Sequence, residues 1–380
     1  MLDECERLAD AEEVDIALVL QDQRDFALAQ QIRIRSGRSL WNELNPNLQE
    51  HAQRLAGLAL KGQLVPFMGA GVSISAGAPT WAGLIDRLAS AAGLNQNELA
   101  ELTKRHVLDQ ASILRAVFSQ SGRSLNETIA KEVRLERYGL APAILASLPS
   151  KQAITLNYDE LFEQASEDAG ISLAVIPGDF SAGTDRWLLK LHGTVSEPES
   201  IVLTREDYLG YSSTRSALSA LVKANLITHH LLFVGFGLTD DHFHEIVHDV
   251  RRALPELSSK SHDVATAITL FEDPLDEYAW KDKLALLPLT QGRDVAQAAR
   301  LLEIFLDMVL AYATDSHSYL LADNYREALT DTEASIRQKL LALSGDLTPE
   351  ERASSEGVRV VALLDALGAS KSPGAPGIIE

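Results

Sequence analysis

Four short stretches of this 380-residue chain end an apolar run in residues able to do chemistry. The first is LVPFMGAGVSISAGAPTW, Leu64 to Trp81, where the run stops at Gly69, Ala70 and Gly71. Small residues after a strand let backbone N–H groups approach a phosphate, and Ser73 adds a hydroxyl donor. Position 74 is isoleucine rather than a third glycine, so the dinucleotide fingerprint is incomplete and a plain structural turn stands beside the phosphate cradle. A second glycine turn, Gly235-Phe236-Gly237, follows the apolar HHLLFV. Two such turns suit the two halves of a dinucleotide, or they are two ordinary strand-to-helix turns.

The third stretch, TLNYDEL, sets Asn157 and Asp159 directly after an apolar run. That is the edge at which α/β sheets bind ligands, although Asp159 serves as well to cap a helix starting at Glu160. In the fourth, LLKLHGTV, His192 ends the run and Gly193 follows. Imidazole titrates near neutrality and suits a general base, whereas a satisfied core histidine is the plainer reading. A fifth pattern, HEIVH, would make His244 and His248 zinc ligands and Glu245 the base of a protease. No third histidine follows in DVRRALPEL, and a polar helix face is the bland alternative.

These residues need strands that end at one edge. LVPFMG, QAITLNYD, RWLLKLHG, HHLLFVGFG and DVATAITLF read as short buried strands, and VDIALVL (Val14 to Leu20) as a further candidate. Helical spacing marks much of Asp25 to Leu60, broken at Asn45-Pro46-Asn47 and ending before Gly62. TWAGLIDRLASAAG is a helix capped by Thr80, ELFEQASEDAG is another, and TDDHFHEIVHDVRRAL is a third, capped by Thr239 or Asp240. Apolar strands alternating with crossover helices predict an α/β fold with a Rossmann-like, doubly wound parallel sheet. Three regions are expected: a mostly helical extension over 1–50, the core over 51–311, and a helical extension over 312–380 whose tail frays.

Composition narrows the class. A net charge of −20 argues against a broad nucleic-acid or anionic-membrane surface, without excluding a local basic pocket for a phosphorylated small molecule. Cys5 is the single cysteine, so an internal disulfide and a cysteine-cage zinc site are both excluded. MLDECERLADAEE lacks the layout of a secretion signal and no apolar run reaches membrane length, so a cytoplasmic location is expected.

Taken in order, GAGVSISAGAPTW, TLNYDEL, KLHGTV with IVLTREDY, and LLFVGFGLTDDHF resemble the sirtuin superfamily. The resemblance spans Leu64 to Phe271 and points to the bacterial sirtuin-like NAD-cleaving branch of antiphage defence. It implies that Gly69, Ala70, Gly71 and Ser73 hold the pyrophosphate of NAD+ and that Trp81 is a further cofactor-binding residue. It further implies that Asn157 orients the nicotinamide ribose or an attacking water, supported by Asp159. His192 would be the general base, and Gly235, Phe236 and Gly237 would admit the adenosine ribose.

Three departures separate the chain from the protein deacylases of that superfamily. Gly193 to Gly235 lacks the four-cysteine zinc module, Pro79-Thr80-Trp81 replaces the usual Phe-Arg, and Leu156-Asn157 replaces Gln-Asn. The resemblance therefore implies an NAD glycohydrolase yielding nicotinamide and ADP-ribose, with NAD+ as substrate and no metal. Its alternatives are a non-catalytic NAD or ADP-ribose sensor or assembly module, and, further off, a deacylase or ADP-ribosyltransferase. A free NADase would kill its host, so restraint by homo-oligomerisation or by a partner ATPase or phage-sensing protein, such as a HerA-type translocase, is expected through the flanking helices.

Overall fold

The computed structural model describes residues 1–37, 40–179, 183–238, 240–253, 265–280, 283–314 and 317–369. Seven strands form one sheet: β1 (Leu64–Met68), β2 (Gln152–Thr155), β3 (Leu173–Ile176), β4 (Arg186–Lys190), β5 (His230–Val234), β6 (Ala265–Phe271) and β7 (Ala285–Thr290). Their order is β3-β4-β2-β1-β5-β6-β7, and every neighbouring pair is parallel. β1 and β5 are buried along their whole length, as strands covered by helices on both faces must be. This is the doubly wound α/β sheet that the alternation of apolar runs and helices predicts.

Register decides what the sheet can present. Met68 pairs with Thr155 on one side and Val234 on the other, and Thr155 pairs with Lys190. Four strands thus end level, at the point where the order reverses about β1. Ligands of open α/β sheets bind in the crevice at such a switch point.

The chain divides into two compact units, Glu43–Ala313, which holds the sheet, and Met1–Asn42 with Thr314–Glu380. In the first, the Pro46–Leu60 helix starts where Asn45 Oδ1 accepts the Leu48 amide, so the Asn-Pro-Asn break is a helix start. It packs on the Val295–Ala313 helix, whose many buried apolar positions reflect contact on several sides. A separate helical layer surrounds Leu88, Leu114, Phe118 and Ile129 and takes Val195, Ile201 and Leu203 from the segment after β4. In the second unit, Leu320, Leu321 and Leu364 form a small cluster, and Glu333 ties Arg35 (2.9 Å) to Tyr319 (2.8 Å).

Some expectations are corrected. Residues 14–20 are neither strand nor helix, and Val14 and Val19 are exposed, because alternating apolar residues make a strand only beside a pairing partner. Gly69 to Ala76 does not open an α-helix; Ala70–Ala76 is a 3-10 helix, so no α-helix dipole points out of the first glycine turn. β3 and β7 escaped the sequence pattern and lie at the two edges of the sheet, where Pro288 within β7 is tolerated. Capping by Thr239 and fraying of 370–380 lie outside the described residues, whereas Asp240 Oδ1 does accept the Phe243 amide at 3.0 Å. Among the described residues no helix is long and apolar enough to cross a membrane.

A charge pair fastens the helical layer. Arg115 donates to both carboxylate oxygens of Asp207 (2.8 and 2.6 Å) and to Thr204 Oγ1 (2.8 Å), while Asp207 closes the capping box at Thr204. Desolvation acts to raise the Asp207 carboxyl, but the Arg115 guanidinium and the Thr204 and Leu203 amides hold it down at about 2. A depressed carboxyl contributes stability above its unfolded value that is lost as the pH falls through the folded one. Asp207→Asn should therefore cost about 1–2 kcal/mol at pH 7, a difference that shrinks as pH falls from about 4 to 2. Urea unfolding of both proteins across that range checks it; a pH-independent difference contradicts it.

Candidate active site

The two glycine turns meet each other. Gly69 N–H donates to Val234 O (3.0 Å) and Gly71 N–H donates to Gly235 O (2.9 Å). A Cβ on Gly69 would lie 2.5 Å from Gly235 O, one on Gly71 2.6 Å from Gly235 Cα, and one on Gly235 2.5 Å from Val72 N. Gly235 also has φ +63, a conformation that L side chains rarely adopt. Glycine at these positions is thus required by backbone contact within the protein, and two amides of the anticipated cradle are already engaged. Ala70, between them, is exposed at the sheet edge.

Ser73 and Asn157 join this knot to β2. Asn157 Nδ2 donates to Gly69 O (3.1 Å) and Ser73 Oγ (3.2 Å), and the Asn157 amide donates to Thr155 Oγ1 (3.0 Å). A carbonyl only accepts, so the contact with Gly69 O fixes which way the amide group points. That leaves Asn157 Oδ1 without a hydrogen-bond partner among the described residues. Ser73 Oγ donates to Asp159 Oδ2 (2.9 Å), whose other oxygen accepts the Leu161 amide (3.2 Å), so Asp159 both braces the site and starts the Leu161–Asp168 helix.

Beneath lies a buried cation absent from the sequence reading. Lys190, the last residue of β4, is 1% exposed and donates to Asp159 O (2.5 Å) and Glu163 Oε1 (2.7 Å). Burial pushes the Asp159 carboxyl up from its ordinary range, opposed by the Ser73 hydroxyl, the Leu161 amide and Lys190. Burial likewise raises Glu163 against the pull of Lys190. A lysine in an apolar strand gives no periodic signal, because it occupies a core position by pairing.

His192 emerges from β4 on the strand next to Asn157 and is 4% exposed. Its Nε2 lies 3.9 Å from Asp240 Oδ2, and the Tyr208 and Tyr211 rings meet it edge-on at 5.5 and 6.2 Å. Tyr208 O–H donates to Asp240 Oδ2 (2.7 Å), and Tyr211 O–H donates to Leu191 O (3.1 Å). Burial first, then the Asp240 carboxylate, push the Tyr208 phenol up, which keeps it a donor. Both tyrosines sit on the Arg205–Thr214 helix, in the cysteine-free segment between Gly193 and Gly235. Arg215 fastens that segment through Leu191 O (2.9 Å) and Ser200 O (2.5 Å).

Other anticipated ligand residues have structural duties. Phe236 joins Phe67, Phe233 and Phe243 at centroid distances of 5.2–5.6 Å. Trp81 packs against the helical layer, with its indole N–H buried and unpartnered. Gly237 is exposed, and the next residue, Leu238, is buried with φ +52, an uncommon conformation for leucine. His244 Nε2–H donates to Leu238 O (3.0 Å), so the first histidine of HEIVH braces this turn. Among the described residues no group of three or more His, Cys, Asp or Glu could hold a metal ion.

A seven-stranded parallel sheet with glycine turns, asparagine and histidine at one edge defines a doubly wound α/β domain of the Rossmann-like class. Residues 151–288 match the family model of the SIR2-like domain, the superfamily that the chain's motifs resemble. Over 204 residues it is 30% identical to the NAD(+) hydrolase ThsA of Enterococcus faecium, covering 52% of this chain and 41% of that protein. It is 29% identical over 221 residues to defense-associated sirtuin 2 of Bacillus subtilis (55% and 21%), and 27% identical over 223 residues to ThsA of Bacillus cereus (56% and 44%). The chain thus spans less than half the length of these curated relatives.

The glycine contact sets a clear expectation. Gly71→Ala and Gly235→Ala should each lower stability by more than about 2 kcal/mol, since backbone rather than a flexible side chain must give way. Thermal unfolding measures this, and an unchanged Tm in either variant would refute the contact.

Proposed function

We propose that this chain is an NAD+ glycohydrolase, releasing nicotinamide and ADP-ribose, and that it serves antiphage defence by NAD+ depletion. The observation that carries the reading is the pair of Asn157, with Oδ1 left over, and His192, with a carboxylate behind it, on adjacent strand ends. The names of the relatives, NAD(+) hydrolase and defense-associated sirtuin, support it.

In this reading the N-glycosidic bond breaks with its electron pair passing to the nicotinamide nitrogen, and positive charge grows on the ribose. Asn157 Oδ1 accepts from a water or a ribose hydroxyl and fixes its approach. Water forms the new bond at the ribose carbon, and its proton passes to His192. Asp240, held by Tyr208, stabilises the imidazolium that results, as a carboxylate behind a catalytic histidine does. Asp240, Tyr208, Asp159 and Lys190 are positioning residues. Ala70 and the neighbouring backbone, with Ser73, Gly235 and Gly237, border the dinucleotide.

A cytoplasmic setting and restraint by assembly belong to the same proposal. The helical unit Met1–Asn42 with Thr314–Glu380 leaves Ile336, Leu341, Leu343, Val358 and Leu363 exposed, which supports a homo-oligomer or a docked partner protein.

The test is NAD+ loss and nicotinamide release by the purified chain, beside Asn157→Ala and His192→Ala. Turnover in the wild type should fall by about two orders of magnitude or more in each variant. Turnover that survives both substitutions refutes the site. NAD+ bound without turnover by the wild type contradicts a self-sufficient hydrolase and favours a sensor.

A further inference from the structure

The Asp241–Ala253 helix, which begins beside the candidate site at Asp240, carries a second feature at its other end. Running to that end is an open cavity of about 480 Å³, lined by His244, Val247, His248, Arg251 and Arg252 of this helix and by Trp280 and Lys283 from the chain before β7. A helix that follows a parallel strand runs back against it, so the Arg251 end of this cavity lies toward the opposite edge of the sheet. Ten residue steps from Asp241 place its Arg251 end about 15 Å along the helix axis from the carboxylate behind His192, while its other end reaches His244.

The lining contains no carboxylate among the described residues, in a chain whose net charge is −20. Arginines in a last helical turn do complement the helix dipole. The dipole does not account for Lys283, which comes from a different element, nor for a concave space between them. Arg251 Nε is buried without a hydrogen-bond partner, and a buried donor left unpaired costs free energy. The floor is well packed: Trp280 is 3% exposed, with the His244 ring 4.8 Å away, the Phe243 ring 5.9 Å away and Lys283 Nζ 5.1 Å from its centroid. Converging cations on a packed apolar floor, at a volume usual for small ligands, have the make-up of an anion site.

We propose that this cavity binds a phosphorylated small molecule, at a site separate from the edge formed by Gly69, Asn157 and His192. The Arg251 guanidinium grips one phosphate oxygen pair, with Lys283 and Arg252 adding charge and His248 a ring donor. The small concave volume and the acidic remainder of the chain favour a metabolite over a nucleic-acid backbone. Occupancy would hold the far end of the helix whose near end supplies Asp240. The binding claim is independent of the NADase reading, since it concerns other residues and is read without turnover.

The probes are inorganic phosphate and pyrophosphate, titrated calorimetrically into the full chain, its His192→Ala form and an Arg251→Ala/Lys283→Ala form. Pyrophosphate should bind the first two alike and more tightly than phosphate, and affinity should fall by at least about tenfold in the double variant. Thermal unfolding verifies that this variant folds, and Arg252→Glu, at an exposed position, gives the same test by a second route. Absence of binding to the wild type overturns the proposal. Binding that survives both sets of substitutions overturns it too, because the anion then sits elsewhere.

Discussion

The backbone of Gly69 to Gly71 lies directly against that of Gly235, and the rest of the site is arranged around this contact. It joins the ends of β1 and β5 at the point where strand order reverses. Without side chains there, the two turns close to hydrogen-bonding distance and bring the C-terminal edge of the sheet to one level. Asn157 then reaches Gly69 O across the neighbouring strand end, and Ser73 links it to Asp159. One steric condition therefore sets the positions of groups drawn from three separate parts of the chain.

Buried charge supplies the second layer of control. Lys190 holds the Asp159 backbone and Glu163 from below, and Asp240 approaches His192 from the side with its second partner, Tyr208, already in place. Such groups are costly to bury and are retained where each finds a partner. The Gly193 to Gly235 segment reaches order without metal ligands, through arginine and tyrosine bonds to backbone carbonyls. The layer that covers His192 is consequently a helix carrying Tyr208 and Tyr211, an arrangement unlike a cysteine-bound module.

Much of this was legible in the sequence, for identifiable reasons. Fully buried strands make uninterrupted apolar runs, so β1, β2, β4, β5 and the chemistry-bearing residues that end them stood out, and their order carried the sirtuin resemblance. What was not legible depended on tertiary partners. Residues 14–20 have the pattern of a strand but no strand to pair with, whereas β3 and β7 pair without an obvious pattern. In sequence the glycines suggest space for a phosphate, yet Gly69 and Gly71 make space first for Gly235. Asp240 was visible only as a helix cap, and nothing in linear spacing links it to His192, forty-eight positions earlier.

The central claim is that the level strand ends of β1, β2, β4 and β5 form the NAD+ site. Hydrogen–deuterium exchange of the His192→Ala chain, with and without NAD+, addresses it without relying on turnover. The account predicts slowed exchange at residues 69–77, 156–160, 192–203 and 235–238. Unchanged exchange at all four segments, under conditions where NAD+ binding is measured independently, would contradict it.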